Sequence, residues 1–290
     1  MSVKVMENNN CSIAIKIDVS TLKGYREGLP RLLDILAERR LKASIFFAMG
    51  ADNSGQASRK GFISRMFRAC ALSTPMTAGS NPDLLRRALD EGHDCGIHAW
   101  NPVTWQGHLT ELPRAAIREQ LEKTMELYEQ IVGTAPNSCA APGWQATPDS
   151  LAVQDELDFT YCSDARGKTP FFPRMGGILF KTPQVPTTLP ALDEIWGQGV
   201  HDAEEAKDYY LDLLEPGLNV HTIHAEQEKW FISGLFSRFL DTCLDGELSF
   251  FTLSEALEQT RLNGEIPVSD LQLKILPGRD GTLAFQNTSV

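Results

Sequence analysis

Several residues in this 290-residue chain combine reactive side-chain types with positions where chemistry tends to gather. Asp18 closes the apolar run "SIAIKIDV", with Ser20 two residues on. His98 closes "CGIH" just ahead of Trp100 and Trp105, and "PGW" at 142–144, Asp164, and His221 with His224 in "HTIH" follow. A carboxylate and a histidine sharing one cavity can act as general base and general acid near neutral pH, provided burial brings their pKa values close to it. A histidine at the carboxyl end of a strand also suits a divalent metal. Each residue has a plainer reading. Asp18 can cap a helix or pair with Arg26, His98 and His224 can be hydrogen-bonded histidines of the core, and the two tryptophans can be loop anchors. Alternation along "HTIHAE" puts His224 on the face of Thr222 and opposite Ile223, as a residue at a barrel mouth requires.

Positioning these groups needs a scaffold, and short apolar runs alternate with helical patterns along nearly the whole chain. "SIAIKIDV" (12–19) and "ASIFFAM" (43–49) read as strands, and between them Leu29, Leu32, Leu33, Ile35 and Leu36 recur at helical spacing. "PDLLRRALDEG" reads as a helix stopped by Gly92, followed by the strand "DCGIHA". "LPRAAIREQLEKTMELYEQIVG" is a helix with Pro113 suited to its first turn and Gly133 at its end. "NSCAAP", "FTYCSD", "GILFKTP", "GLNVHTIH" and "LSFFTL" read as further strands, with helices at about 203–214, 229–243 and 253–262. Six or seven strands separated by helices imply a parallel sheet that can close into a barrel, whose chemistry lies at the carboxyl ends of the strands. "LQLKIL", "PGRDG" and "TLAFQ" form a closing β-hairpin over about 268–286.

The formal net charge of -11 excludes a broad nucleic-acid surface, so any basic patch must be local. Six cysteines, at 11, 70, 95, 139, 162 and 243, lack CxxC spacing, which fits neither a zinc ribbon nor a disulfide framework and points to a reducing compartment. The amino terminus has no apolar signal region, and no apolar run reaches bilayer length. A cytoplasmic protein is expected, forming one domain with its core over about 12–262.

The motifs, in order, resemble those of the polysaccharide deacetylase (NodB-homology) family. They are "IDVSTLKGYREGLPRLLDIL", "HAWNPVTWQ", "AAPGWQA", "YCSDARG", "TPQVPTTLP" and "HTIHAE", and the similarity spans about residues 12–285. It is nearest the branch that removes the formyl group from 4-deoxy-4-formamido-L-arabinose carried on undecaprenyl phosphate, a lipid A modification reaction. The resemblance implies a single irregular (β/α)7-type barrel and hydrolysis of an N-formyl or N-acetyl amino sugar. It implies Asp18 as base and His224 as acid, with Asp164 as the acidic partner that tunes the acid. Arg166 is expected to hold an anionic part of the substrate, and Trp100, Gly143 and Trp144 to contribute to the substrate pocket. A divalent metal (Zn, Ni, Co or Mn) held by one aspartate and two histidines is expected for the family, with His98 as one ligand.

The sequence departs from that pattern at two ligands, having Ser20 for the second aspartate and Pro102 for the second histidine. Serine binds divalent metals poorly and proline offers no side-chain donor. Asp18, Asn101, His108, His93 and Asp94 are the substitutes within reach in sequence. Two functions therefore compete: an amide hydrolase, and a pseudoenzyme that binds a sugar, a glycolipid or a partner deformylase without turnover. A metal-free Asp–His pair is a third reading. The segment "SRKGFISRMFRACAL" (58–72), inside an insertion over about 57–80, interleaves Arg59, Lys60, Arg65 and Arg68 with aromatic and aliphatic residues and has no acid. It suits either the headgroup region of an anionic membrane leaflet, at the inner face, or a surface helix over the barrel.

Overall fold

The computed structural model describes residues 11–54, 77–227, 234–276 and 281–288. The basic segment 58–72 lies outside them, as does most of the insertion expected around it. Strand β1 (Cys11–Val19) is the axis of the molecule. Its period of two sends Ile13, Ile15, Ile17 and Val19 outward into the layer between sheet and helices. Ala14 faces inward, where it joins Phe46, Ala140, Tyr161 and Val220.

Parallel neighbours β2 (Ser44–Phe47), β3 (Asp94–Ile97), β4 (Ser138–Cys139) and β5 (Tyr161–Cys162) extend the sheet from one side of β1, and β8 (Gly217–His224) lies on the other. Strand β9 (Ser249–Phe251) pairs with Ser12–Ala14 below β2. An extended stretch joins β5 to β8. Cys162 N–H donates to Pro183 O (2.9 Å), Val185 N–H to Cys162 O (2.8 Å), and Leu189 N–H to Val220 O (3.1 Å). The result is the irregular (β/α) barrel expected from the sequence.

Helix α1 (Leu29–Glu38) buries Leu29, Leu32, Leu33 and Leu36, each contributing about 1.5–3 kcal/mol by leaving water. Helices α2 (Pro82–Asp90) and α4 (Arg114–Val132) match their patterns, with Pro113 as the N-cap of α4 and Gly133 ending it at φ 89°. Three helices are not legible in the sequence, among them the single turn α6 (Leu192–Ile195). Helix α3 (Pro102–His108) has no apolar stripe, and it is set by Asn101, whose side chain accepts from Thr104 N–H (3.1 Å). Helix α5 (Pro148–Glu156) is set by a capping box between Thr147 and Ser150. Helices α6 (Leu192–Ile195), α7 (Ala203–Asp212), α8 (Leu235–Asp245) and α9 (Leu253–Asn263) complete the outer layer.

The stretch "GILFKTP" is not a strand of the barrel. Its β7 (Ile178–Leu179) pairs with β6 (Phe172–Met175) through a turn of Gly176 and Gly177 at φ 60° and 80°, the positive values a tight hairpin requires. The expected terminal hairpin is present as β10 (Val268–Lys274) and β11 (Leu283–Gln286), and β10 pairs with β6 to form a second, four-stranded sheet. Among the described residues no helix is long and apolar enough to cross a membrane.

Candidate functional site

The parallel register of β1 and β8 sets Asp18 directly beside His224 at the carboxyl ends of both strands. Lys16, two residues before Asp18, shares its inward face by strand alternation. Asp18 is 2% exposed. Its Oδ2 lies 3.5 Å from Lys16 Nζ, and Oδ1 has no protein partner. His98 follows β3 and is fixed by its N–H donating to Phe47 O (2.9 Å). Its ring is 1% exposed, and burial, helped by Lys16 and His224 and opposed by Asp18, pushes its pKa down to about 4. The ring is therefore uncharged at neutral pH, and its Nδ1 is also unpartnered.

Above these groups opens a cavity of about 250 Å³, lined in part by Ser20, His98, Pro102, Gly143, His224 and Glu226. Buried polar atoms nearly always find partners, and leaving one unmade costs about 1–3 kcal/mol. Four groups at this site nevertheless carry an unpartnered buried atom: Asp18 Oδ1, His98 Nδ1, His224 Nε2 and Glu226 Oε2. That concentration marks the place where a ligand's polar groups would be complementary.

Glu226 is absent from the sequence expectations, although it stands two residues beyond His224. Its carboxylate accepts from the Ser20 backbone N–H, and burial raises its pKa. Gly24 and Gly28 let the first helical turns pass close by, since a Cβ at Gly28 would meet Ala225 O at 1.9 Å. Lys16 is likewise absent from those expectations, though a lysine inside an apolar strand is a visible signal.

The other predicted residues fall around the cavity in different ways. Gly143 lines it at φ 64°, and a Cβ there would meet the Gln106 side chain at 2.8 Å. Trp144, at φ 52°, is 1% exposed. It sits edge-on to the His224 ring (5.9 Å between centroids) and donates from Nε1 to Thr187 Oγ1 (2.9 Å), forming a wall behind that ring. Trp100 is half-buried against the outer core, and its carbonyl crowds Gly50. Asp164 is fully buried and accepts from Ala141 N–H (2.7 Å) and Gln154 Nε2 (2.7 Å), which ties the end of β4 to α5; burial raises its pKa to about 6. Arg166 points away from solvent and forms an ion pair with Glu194 (2.7 and 2.9 Å), with its guanidinium 4.9 Å from the Trp144 ring. His221, on the outward face of β8, packs between Tyr210 and Phe239.

The donors do not fit the family's metal. Ser20 and Pro102 stand at the cavity with His98, and no three His, Cys, Asp or Glu side chains gather as cation donors among the described residues. Of the substitutes, Asp18 is near enough to His98 to act on its charge, but the other four do not assemble with it. Asn101 caps α3, His108 is exposed beside Glu111 (3.1 Å), His93 accepts from Ala43 N–H, and Asp94 accepts from Ser44 and Tyr161 hydroxyls at the opposite end of the sheet.

A model of the polysaccharide deacetylase family matches residues 8–162. The chain is 29% identical to the "Probable 4-deoxy-4-formamido-L-arabinose-phosphoundecaprenol deformylase ArnD" of Shewanella sediminis, covering 98% of this chain and 97% of that one. Among solved structures it resembles the "putative polysaccharide deacetylase from Mycobacterium smegmatis" (17% identity, 93% and 96% coverage, TM-score 0.66). It also resembles BA3943, a CE4 family pseudoenzyme of Bacillus anthracis (14% identity, 87% and 66% coverage, TM-score 0.54). At such identities the structural matches speak for the fold alone.

Proposed function

Because this chain belongs to the polysaccharide deacetylase family, we propose that its cavity takes an N-acylated amino sugar, of the lipid-linked formamido-arabinose class named for its relative, and hydrolyses the amide. The observation that carries this reading is the registered pair Asp18 and His224, each with an unpartnered buried atom, with His224 lining the cavity. Asp18 Oδ1 takes a proton from water as its oxygen bonds to the formyl carbon. The C–N bond of the tetrahedral intermediate then breaks as His224 Nε2–H donates to the departing nitrogen, giving formate and a free amine. His98 Nδ1 and Glu226 Oε2 hydrogen-bond the sugar.

Incubation of the purified chain with formamido-arabinose phosphoundecaprenol is expected to release formate, with Asp18→Asn and His224→Ala each reducing the rate by about 10²–10⁴. Release that survives both substitutions would eliminate this assignment. A second reading is favoured by one specific observation, the presence of Ser20 and Pro102 at the cavity. In it the same pocket binds the glycolipid, or serves a partner deformylase, without turnover. Calorimetric binding of the glycolipid with no formate released distinguishes it.

A further inference from the structure

Lys16 is a charge placed where charge is hardest to keep. Its side chain is 0% exposed on the inward face of β1. Its Nζ donates to Ser163 O (3.0 Å) and lies 3.5 Å from Asp18 Oδ2, with the Phe46 and Trp144 rings at 5.5 and 5.7 Å. The ring faces favour an ammonium. Removing it from water nevertheless forfeits several kcal/mol of hydration, and apolar side chains of similar volume often serve stability as well or better. Fold stability therefore gives little reason for a lysine here.

Its position relative to Asp18 gives a reason. Of the two carboxylate oxygens, Oδ2 faces the ammonium while Oδ1 has no partner. A carboxylate held from one side has its rotation fixed and its other oxygen left for reaction. We propose that Lys16 is the positioning residue of this site, holding Asp18 by Oδ2 so that Oδ1 is presented to the ligand. The proposal rests on the reading of Asp18 as the base. Lys16 touches no substrate and acts through Asp18 alone.

Two measurements test it. In urea unfolding of the full chain, Lys16→Met lowers the midpoint when Asp18 is present, because it strands a buried carboxylate. In an Asp18→Asn background it does not. Failure of Lys16→Met to fold while Lys16→Met/Asp18→Asn folds is the same result in stronger form, and equal losses in both backgrounds overturn the pairing. In the formate assay Lys16→Met lowers kcat about a hundredfold, as misplacing a reacting group does, with KM within about twofold. Lys16→Arg restores part of the loss, and a native kcat in Lys16→Met overturns the positioning role. If the native chain releases no formate, the hydrolase reading has failed, and the unfolding cycle still decides whether Lys16 holds Asp18.

Discussion

Pro102 opens α3 at the rim of the cavity, with Asn101 as its cap. Proline suits the first turn of a helix because its φ is preset and its missing N–H is not needed there. Where the resemblance implies a histidine ligand, this position therefore gives a helix start and no donor. Ser20 likewise keeps its place at the cavity while its side chain offers only a hydroxyl. Both positions stand at one cavity with His98, which makes restoring the donors a direct test. Ser20→Asp combined with Pro102→His is expected to bind about one zinc per chain in metal analysis and to gain formate release. Metal activation supplies several kcal/mol of barrier reduction, at tenfold in rate for each 1.36. Stoichiometric Zn, Ni, Co or Mn in the native chain purified without chelator, lost in His98→Ala, would refute the non-catalytic reading.

Strand β8 shows how one element divides its histidines. His224 faces the cavity while His221 faces α7 and α8, with its ring 4.3 Å from Tyr210 and 5.3 Å from Phe239. Burial alone holds the His221 pKa at about 4, below its usual 6.5. Below pH 6.5 the unfolded chain binds a proton that the native state refuses, so stability falls as the pH drops and levels off near 4. The complete loss is roughly 3 kcal/mol. His221→Gln should therefore narrow the gap between urea midpoints at pH 7 and pH 5, and an unchanged gap would rule His221 out as a source of acid sensitivity. Asp18 and His224 are legible in the sequence because each ends an apolar strand, and two-residue alternation along "HTIH" also gives the face of His224. Helices α3 and α5 are not, because their starts rest on single caps and neither has a continuous apolar stripe. The partners of Arg166 and Lys16 were hidden for another reason: Glu194 lies 28 residues from Arg166 and Ser163 147 residues from Lys16, separations that only the closed barrel brings together.

At the scale of the whole molecule the controlling quantity is charge. A chain of net charge -11 is repelled by an anionic membrane, so contact with one requires a local patch strong enough to overcome that field. The segment 58–72 lies outside the described residues, but its sequence has the required composition. Arg59, Lys60, Arg65 and Arg68 occur without an acid among Phe62, Ile63, Met66 and Phe67. Each cation near an anionic leaflet contributes about 1 kcal/mol, and the aromatic and aliphatic residues add apolar burial. Such contact would bring a lipid-linked sugar to the cavity by two-dimensional encounter. Reversing Arg65 and Arg68 to Glu takes the segment from four net positive charges to none, leaving the acidic remainder unopposed. The native chain is expected to cosediment with anionic vesicles at low salt, to be released as salt screens the attraction, and to ignore neutral vesicles. The Arg65→Glu/Arg68→Glu variant should remain in the supernatant throughout, and undiminished sedimentation of that variant would refute a membrane-facing role for the segment.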